Sequence, residues 1–122
     1  MDWEIEVTDE FVLWWRELST EERESVARVV DRLEIFGPNL DYPLSSSVAQ
    51  SRHRRKMREL RIQHRGKPYR VFYAFDPRRC AVLLIGGDKT GDEQFYQRMV
   101  PTADRIYDKY LEELRAEGLI PE

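Results

Sequence analysis

The sequence has one cysteine, two histidines and no long hydrophobic run among its 122 residues. A disulfide needs two cysteines, so Cys80 excludes an internal disulfide framework and is typical of a chain from a reducing compartment. No apolar run approaches the ~18 residues of a membrane span, and the acidic start, MDWEIEVTDE, has no signal-peptide core. These features predict a cytoplasmic protein with one domain over residues 1–122 and no membrane partner.

Motifs for metal binding and nucleotide binding are also missing. His53 and His64 have no partner at metal-ligand spacing, so we predict no metal site and no cofactor. The segment GGDKTGD at residues 86–92 has the glycine spacing of a phosphate-binding loop. Acidic residues follow it, however, where such a loop needs lysine and then serine or threonine, so a Walker A site is excluded.

Hydrophobic periodicity predicts an α+β fold with a mostly antiparallel sheet, an N-terminal helical hairpin and a C-terminal helix. Ser19 and Glu22 form the capping box of the second helix, which Gly37 and Pro38 end. Short turns between the last three strands indicate an antiparallel meander. The predicted elements are a strand at 3–7, helices that begin at Thr8–Asp9 and at Ser19, strands at 56–64, 68–75 and 80–87, and a helix from about 92 to 117.

Two further boundaries follow from composition. The segment SSS at residues 45–47 lies in a stretch rich in proline, serine and asparagine, so we interpret it as linker. Pro101 is interpreted as the start of the longest part of the last helix, because proline is favoured in a first helical turn. Gly118 is predicted to end that helix.

Positive charge is concentrated in residues 52–70, RHRRKMRELRIQHRGKPYR. This stretch has nine Lys or Arg and one acid, Glu59, for a charge of +8, while the remaining 11 basic and 22 acidic residues give −11. A net charge of −3 alone argues against a polyanionic partner, but this asymmetry argues for one.

The spacing of two arginines within this stretch has a geometric consequence. Leu60 and Ile62 share one face of the predicted strand, whereas Arg61 points to the other face, with Glu59. Any turn of even length after His64 places Arg61 and Arg70 on the same sheet face. Two adjacent arginines repel each other, so an anion bound between them is one interpretation, and two solvated surface arginines are the other.

The remaining charges and aromatic rings suggest how a polyanion would be held. Basic residues upstream of the strand form an electrostatic footprint for RNA, although an acidic protein is an alternative partner. Aromatic residues between the charges belong mostly to the core, but Tyr73 is a candidate for stacking on a base. The candidate RNA-binding residues are Arg52, Arg54, Arg55, Lys56, Arg58 and Tyr73.

Three segments, MRELR, YRVFYAF and VLLIGGDKTGDEQFYQRMVPTADRIYDKYL, resemble a known family. The chain is similar to toxins of the RelE/ParE superfamily from bacterial type II toxin–antitoxin systems, and to their phage-derived HigB-like branch in particular. The resemblance covers most of the chain and implies the compact RelE-like fold. It also implies a cognate antitoxin of the helix-turn-helix DNA-binding kind as a partner.

The resemblance implies a ribosome-dependent mRNA endonuclease that needs no metal and therefore has the ribosome and mRNA as partners. In such toxins the 2′-hydroxyl attacks the adjacent phosphate. By motif, Arg61, Arg70 and Lys89 are implied to bind the phosphate and stabilise its transition state. The proton acceptor stays open among Lys89, His64 and Tyr73. Inhibition of DNA gyrase, as by ParE toxins, and an inactive nucleic-acid-binding module are the alternative functions.

Overall fold

A computed structural model describes residues 2–122. The chain builds one five-stranded sheet, with two helices on one face and a third helix on the other. No helix within residues 2–122 is long and apolar enough to cross a membrane. The elements are β1 (Ile5–Val7), α1 (Asp9–Glu17), α2 (Thr20–Phe36), a 3-10 turn (Gly37–Asn39), β2 (Ser45–Ser47), β3 (Arg58–His64), β4 (Lys67–Phe75), β5 (Ala81–Asp88) and α3 (Phe95–Ala116).

The strand order is β1-β5-β4-β3-β2. Strands β2 to β5 pair antiparallel with their neighbours, whereas β1 pairs parallel to β5, with Ile5 opposite Ala81. The predicted α+β class and mostly antiparallel sheet are therefore confirmed. The central strands β4 and β5 are buried on both faces, as their continuous apolar sequences indicate.

The helical hairpin α1–α2 is fixed at both starts by side-chain caps. The Phe11 amide donates to the Thr8 hydroxyl at 3.1 Å, and the Thr8 hydroxyl itself donates to the Leu84 carbonyl at 2.6 Å. The predicted capping box is present, because Ser19 N–H donates to the Glu22 carboxylate and Glu22 N–H donates to the Ser19 hydroxyl. The hairpin packs its apolar face on one side of the sheet, around Val26, Leu33, Leu60, Val71 and Leu83.

Helix α3 covers the opposite face of the sheet and corrects one predicted boundary. The helix begins at Phe95 and continues through Pro101, so Pro101 does not start its longest part. Phe95, Met99 and Val100 are all buried against the sheet, and this burial stabilises the first turns despite the backbone hydrogen bond that proline cannot donate. The helix ends before Gly118, whose φ of 74° suits glycine, as predicted.

The serine segment also differs from its predicted role. Residues Ser45–Ser47 are not linker but the edge strand β2, paired antiparallel with Arg58–Leu60. Their hydroxyls replace the apolar contacts that usually reveal a strand: Ser45 bonds the Tyr73 hydroxyl at 2.6 Å, and Ser46 donates to Glu59 at 2.7 Å. A short edge strand of this kind has no hydrophobic alternation that its sequence could show.

Candidate functional site

The β3–β4 hairpin places Arg61 directly opposite Arg70. Its turn has two residues, Arg65 and Gly66, with φ angles of 50° and 80°, and His64 pairs with Lys67 across it. Positive φ at both central positions is typical of the tight turns that suit the twist of a hairpin. The turn is therefore of even length, and the prediction that Arg61 and Arg70 share a sheet face is confirmed; the two-residue loop also pairs them directly.

The anion between the two arginines is a side chain of the protein itself. Glu59 lies on the same sheet face, with one carboxylate oxygen 3.6 Å from Arg61 Nη1 and the other 3.6 Å from Arg70 Nε. The Ser46 and Tyr96 hydroxyls each donate to this carboxylate at 2.7 Å. Glu59 thus offsets the repulsion between the two arginines. The isolated protein therefore fits neither of the interpretations made from their spacing, a bound anion or two solvated surface arginines.

Arg70 and Arg61 differ sharply in their access to solvent. The Arg70 side chain is 3% exposed, donates to the Tyr69 carbonyl at 3.0 Å, and lies beneath the Tyr96 hydroxyl. Arg61 is 28% exposed because it stands beside the edge of the sheet. A ligand that approaches this face therefore meets Arg61 first, with Arg70 as a fixed charge below it.

Lys89 completes the group from the loop that follows β5. Its backbone N–H donates to the Pro68 carbonyl at 3.0 Å, which holds the loop against β4. Its ammonium group lies 5.0 Å from the centre of the Tyr96 ring. Burial lowers the pKa of Lys89, and the charges of Arg70 and Arg61 lower it further, against an opposing effect of Glu59. Three of the predicted site residues thus lie around one carboxylate.

Two of the proposed proton acceptors lie elsewhere. His64 is on the sheet face that packs on α2, where its Nδ1 is 2.7 Å from the Ser25 hydroxyl. Tyr73 is fully buried in the core on that same side and bonds Ser45. The prediction that Tyr73 stacks on an RNA base is wrong for this structure, because its ring offers no open surface. The same alternation that points Arg61 and Leu60 to opposite faces of the sheet places Tyr73 on the Leu60 face, which the helices cover.

The basic residues upstream of β3 fall into separate groups. Arg52 is bound to α3, with Nη2 2.5 Å from the Asp108 carboxylate, and Arg58 donates to the Ser45 hydroxyl at 3.0 Å. Residues 54–56 (Arg54, Arg55 and Lys56), here called the basic loop, are exposed, and none of the ion pairs found within residues 2–122 includes them. This loop is the accessible part of the predicted footprint.

Contacts to α3 hold the basic loop in place from its N-terminal side. The Ser51 hydroxyl donates to Asp104 at 2.5 Å, and the Arg52 amide donates to the same carboxylate at 3.0 Å. His53 Nε2 lies 2.7 Å from Asp108. Asp104 and Asp108, one helical turn apart, thus fix the segment before the basic loop. The cations of the loop project into solvent from this fixed segment.

Sequence reasoning missed three contributors to the site. Glu59 was placed on the correct face by alternation but received no role, and its position between two arginines is the signal that could have revealed one. Tyr96 lies in the first turn of α3, far along the chain, and no local pattern connects it with Arg70. Ser46 was assigned to linker, so its bond to Glu59 had no predicted basis.

A family model described as "Phage derived protein Gp49-like (DUF891)" matches residues 13–108. The chain belongs to this family. Two relatives of this Gp49-like chain are the putative toxins HigB3 and HigB2 of Mycobacterium tuberculosis (strain ATCC 25618 / H37Rv), each 37% identical to it, over 99 and 100 residues. Both matches cover 80% of this chain; they cover 84% of HigB3 and 49% of HigB2.

The fold of the Gp49-like chain is similar to that of a mutant of the E. coli toxin RelE in the free state. The TM-score is 0.56, over 78% of this chain and 92% of RelE, at 14% sequence identity. With the HigB relatives, the family match confirms the phage-derived, HigB-like part of the resemblance stated from the sequence, and the likeness to RelE confirms the RelE-like fold.

Proposed function

We propose that this protein is the toxin of a type II toxin–antitoxin system and that it cleaves mRNA on the ribosome. The observation that carries the proposal is the convergence of Arg61, Arg70 and Lys89 on one face of the sheet. The family supports the toxin role, since HigB2 and HigB3 are named as putative toxins. The exposed cations of the basic loop add positive charge outside the site, which favours a polyanion over a small ligand.

The proposed reaction is attack of a 2′-hydroxyl on the adjacent phosphate, which breaks the bond to the 5′-oxygen. Negative charge grows on the phosphate oxygens as the fifth bond forms. Arg61 and Lys89 are accessible enough to contact these oxygens, and Arg70 adds a fixed positive charge beneath them. Groups already held in place stabilise such charge without a cost of reorganisation at the moment of reaction.

Glu59 is the counter-ion of both arginines in the isolated protein, and the incoming phosphate takes over that role at Arg61 alone. In the isolated protein it holds the two guanidinium groups on one face and keeps a buried arginine paired. A substrate phosphate brings the same charge to Arg61 from the solvent side, while Ser46 and Tyr96 retain the Glu59 carboxylate. The site is thus preformed for an anion before the substrate arrives.

Lys89 is the proton acceptor that the structure favours among the three considered from the sequence. It alone of Lys89, His64 and Tyr73 lies on the face that holds Arg61 and Arg70. Burial and the nearby arginines lower its pKa, so more of it is neutral near physiological pH than of a free lysine. A neutral amine accepts the proton of the 2′-hydroxyl, and the two arginines keep their charge.

The partners of this activity are the ribosome, its mRNA and a cognate antitoxin. The exposed basic loop is the surface through which the protein would bind ribosomal RNA. The antitoxin, proposed to be a helix-turn-helix protein, would inhibit the toxin by covering this face or by blocking its entry to the ribosome. The proposed site of action is the cytoplasm, where ribosomes and messages are found.

The test is to add the protein to a translation extract and map the ends of the mRNA by primer extension. We expect new ends within the translated region, and about 100-fold slower cleavage for Arg61→Ala and Lys89→Ala, since loss of one stabilising or acid–base group typically costs this much. Arg32→Ala is the matched control on α2. Intact mRNA on ribosomes with the wild-type protein would contradict the proposal, and inhibition of supercoiling in the same preparation would point to gyrase.

A further inference from the structure

A cavity lies beside the proposed active site, between α2 and the part of β3 that extends beyond its pairing with β2. Its volume is about 470 Å³, within the range of ordinary ligand pockets. Its walls come from α2, from the segment that leads into β2, and from the second half of β3, and they include Ser25, Arg28, Tyr42, Arg61 and Gln63. Arg61 therefore belongs both to this cavity and to the phosphate site.

The Tyr42 ring gives this cavity a stacking surface. Tyr42 is 71% exposed, which is unusual for so large a side chain, and the Arg61 guanidinium lies 5.2 Å from its ring centre. A ring that already holds a planar guanidinium group also suits a planar nucleobase, since bases stack on aromatic rings irrespective of sequence. The open part of the ring faces solvent, so stacking requires no unpacking of the core.

Arg28 gives the cavity a second positive charge. Its Nη2 donates to the Ser25 hydroxyl at 3.3 Å, and none of the ion pairs within residues 2–122 includes it. The nearest acid on the Tyr42 segment is Asp41, whose carboxylate accepts the Tyr42 amide at 2.8 Å and lies 3.9 Å from Arg58. Arg28 is thus available for a phosphate, and guanidinium groups match phosphate oxygens well.

We propose that this cavity binds the nucleotide next to the scissile phosphate, with its base stacked on Tyr42 and its outer phosphate on Arg28. Arg61 stands between the two sites and would contact the phosphate that joins them. This inference rests on the proposed function for its substrate class, single-stranded RNA. The exposed amide of Gln63 at the rim adds a donor and an acceptor for a base edge.

The experiment is an NMR titration with a trinucleotide whose riboses are 2′-O-methylated, so that it binds without being cleaved. We expect amide signals of Ser25, Leu44 and Gln63 to shift on addition of the trinucleotide. Tyr42→Ala should raise the Kd roughly tenfold, as loss of one stacked base does, while Tyr42→Phe retains the wild-type Kd. A trinucleotide without its middle base should bind the wild type as weakly as the complete one binds Tyr42→Ala.

Arg28→Ala should raise the Kd several-fold, whereas Arg32→Ala, one helical turn away and outside the cavity, should not. The inference is overturned if the cavity amides do not shift at millimolar trinucleotide, if shifts are confined to the basic loop, or if Tyr42→Ala binds as the wild type does. Because this readout needs no cleavage, it separates the two proposals. Binding at Tyr42 without mRNA cleavage defeats the nuclease, and cleavage without binding at Tyr42 defeats the cavity.

Discussion

The buried guanidinium of Arg70 has its carboxylate partner on the neighbouring strand, at Glu59. Removal of Glu59 leaves the Arg70 charge unpaired where water does not reach, and removal of Arg70 leaves Glu59 with only the partly exposed Arg61 as a cation. Such losses typically cost about 3–5 kcal/mol. Arg61 shares the same carboxylate but is partly solvated, so its removal leaves no charge unpaired. At the scale of single residues, the two arginines thus differ in their contribution to stability and in their proposed contribution to catalysis.

This difference predicts that Arg70→Ala lowers the free energy of unfolding by about 3–5 kcal/mol, whereas Arg61→Ala lowers it by about 1 kcal/mol or less. Urea denaturation followed by tryptophan fluorescence measures both. Equal losses for the two variants would show that Arg70 is not the structural member of the pair. Arg61 and Lys89 are therefore better tests of the chemistry than Arg70, whose loss affects folding as well.

At the scale of elements, the β3–β4 turn decides which side chains the strands place opposite each other. Gly66 has a φ of 80° and Arg65 a φ of 50°, both in the left-handed region. Gly66→Ala should cost about 1 kcal/mol because alanine rarely adopts this conformation, while Arg65→Asn should stabilise by a few tenths, since asparagine tolerates it. Thermal unfolding measures both changes. A stabilising Gly66→Ala would contradict the assigned turn.

Glu22 links α2 to β4 through a hydrogen bond. Its carboxylate accepts the Ser19 amide and the Tyr69 hydroxyl, and these bonds lower its pKa from 4.5 to about 2. Because the folded pKa is the lower one, the stabilisation is present above pH 4.5 and is lost as the pH falls towards 2. Glu22→Gln should flatten the dependence of Tm on pH in this range, whereas Glu24→Gln on the same helix should not.

The elements that the sequence predicted well are those with a buried face of regular period. Strand β3 shows apolar alternation, β4 and β5 show continuous apolar runs, and α2 has a capping box, and the predicted bounds of all four agree with the structure to within two residues. The edge strand β2 consists of three serines whose partners are distant hydroxyls and carboxylates, so it has no local signature. The boundary predicted at Pro101 is wrong because burial of Phe95 and Met99 outweighs the preference of proline for a first helical turn.

The site was predictable where it depends on strand geometry. Turn parity predicts that Arg61 and Arg70 share a sheet face, and motif resemblance adds Lys89, which lies beside them. The contacts with Tyr96 depend on how α3 crosses the sheet, and no pattern within one segment determines that. The same limit explains the wrong prediction for Tyr73. Strand alternation gives the face on which its side chain lies, but its exposure depends on the helices packed over that face.

At the scale of the whole molecule, the basic loop concentrates three exposed cations in a protein whose net charge is −3. The basic loop is exposed and makes no ion pair within residues 2–122, so replacing residues 54–56 by alanine should leave Tm unchanged. Co-sedimentation with ribosomes should weaken by about tenfold or more, because three phosphate contacts are lost. The double variant Arg16→Ala, Arg32→Ala removes charge from the helical hairpin and is the control. Equal binding by both variants would contradict the assigned surface.

The carboxylate of Glu59 also makes the proposed site respond to ionic strength differently from the basic loop. Counterions leave RNA in proportion to the protein charge that its phosphates meet. At the site, Glu59 cancels one of three cations, whereas in the basic loop every cation is free to neutralise a phosphate. In the proposed RNA complex, release of counterions by the loop therefore dominates the salt dependence of binding. We accordingly expect salt to govern how long the protein stays on RNA and to have little effect on the geometry at the reacting phosphate.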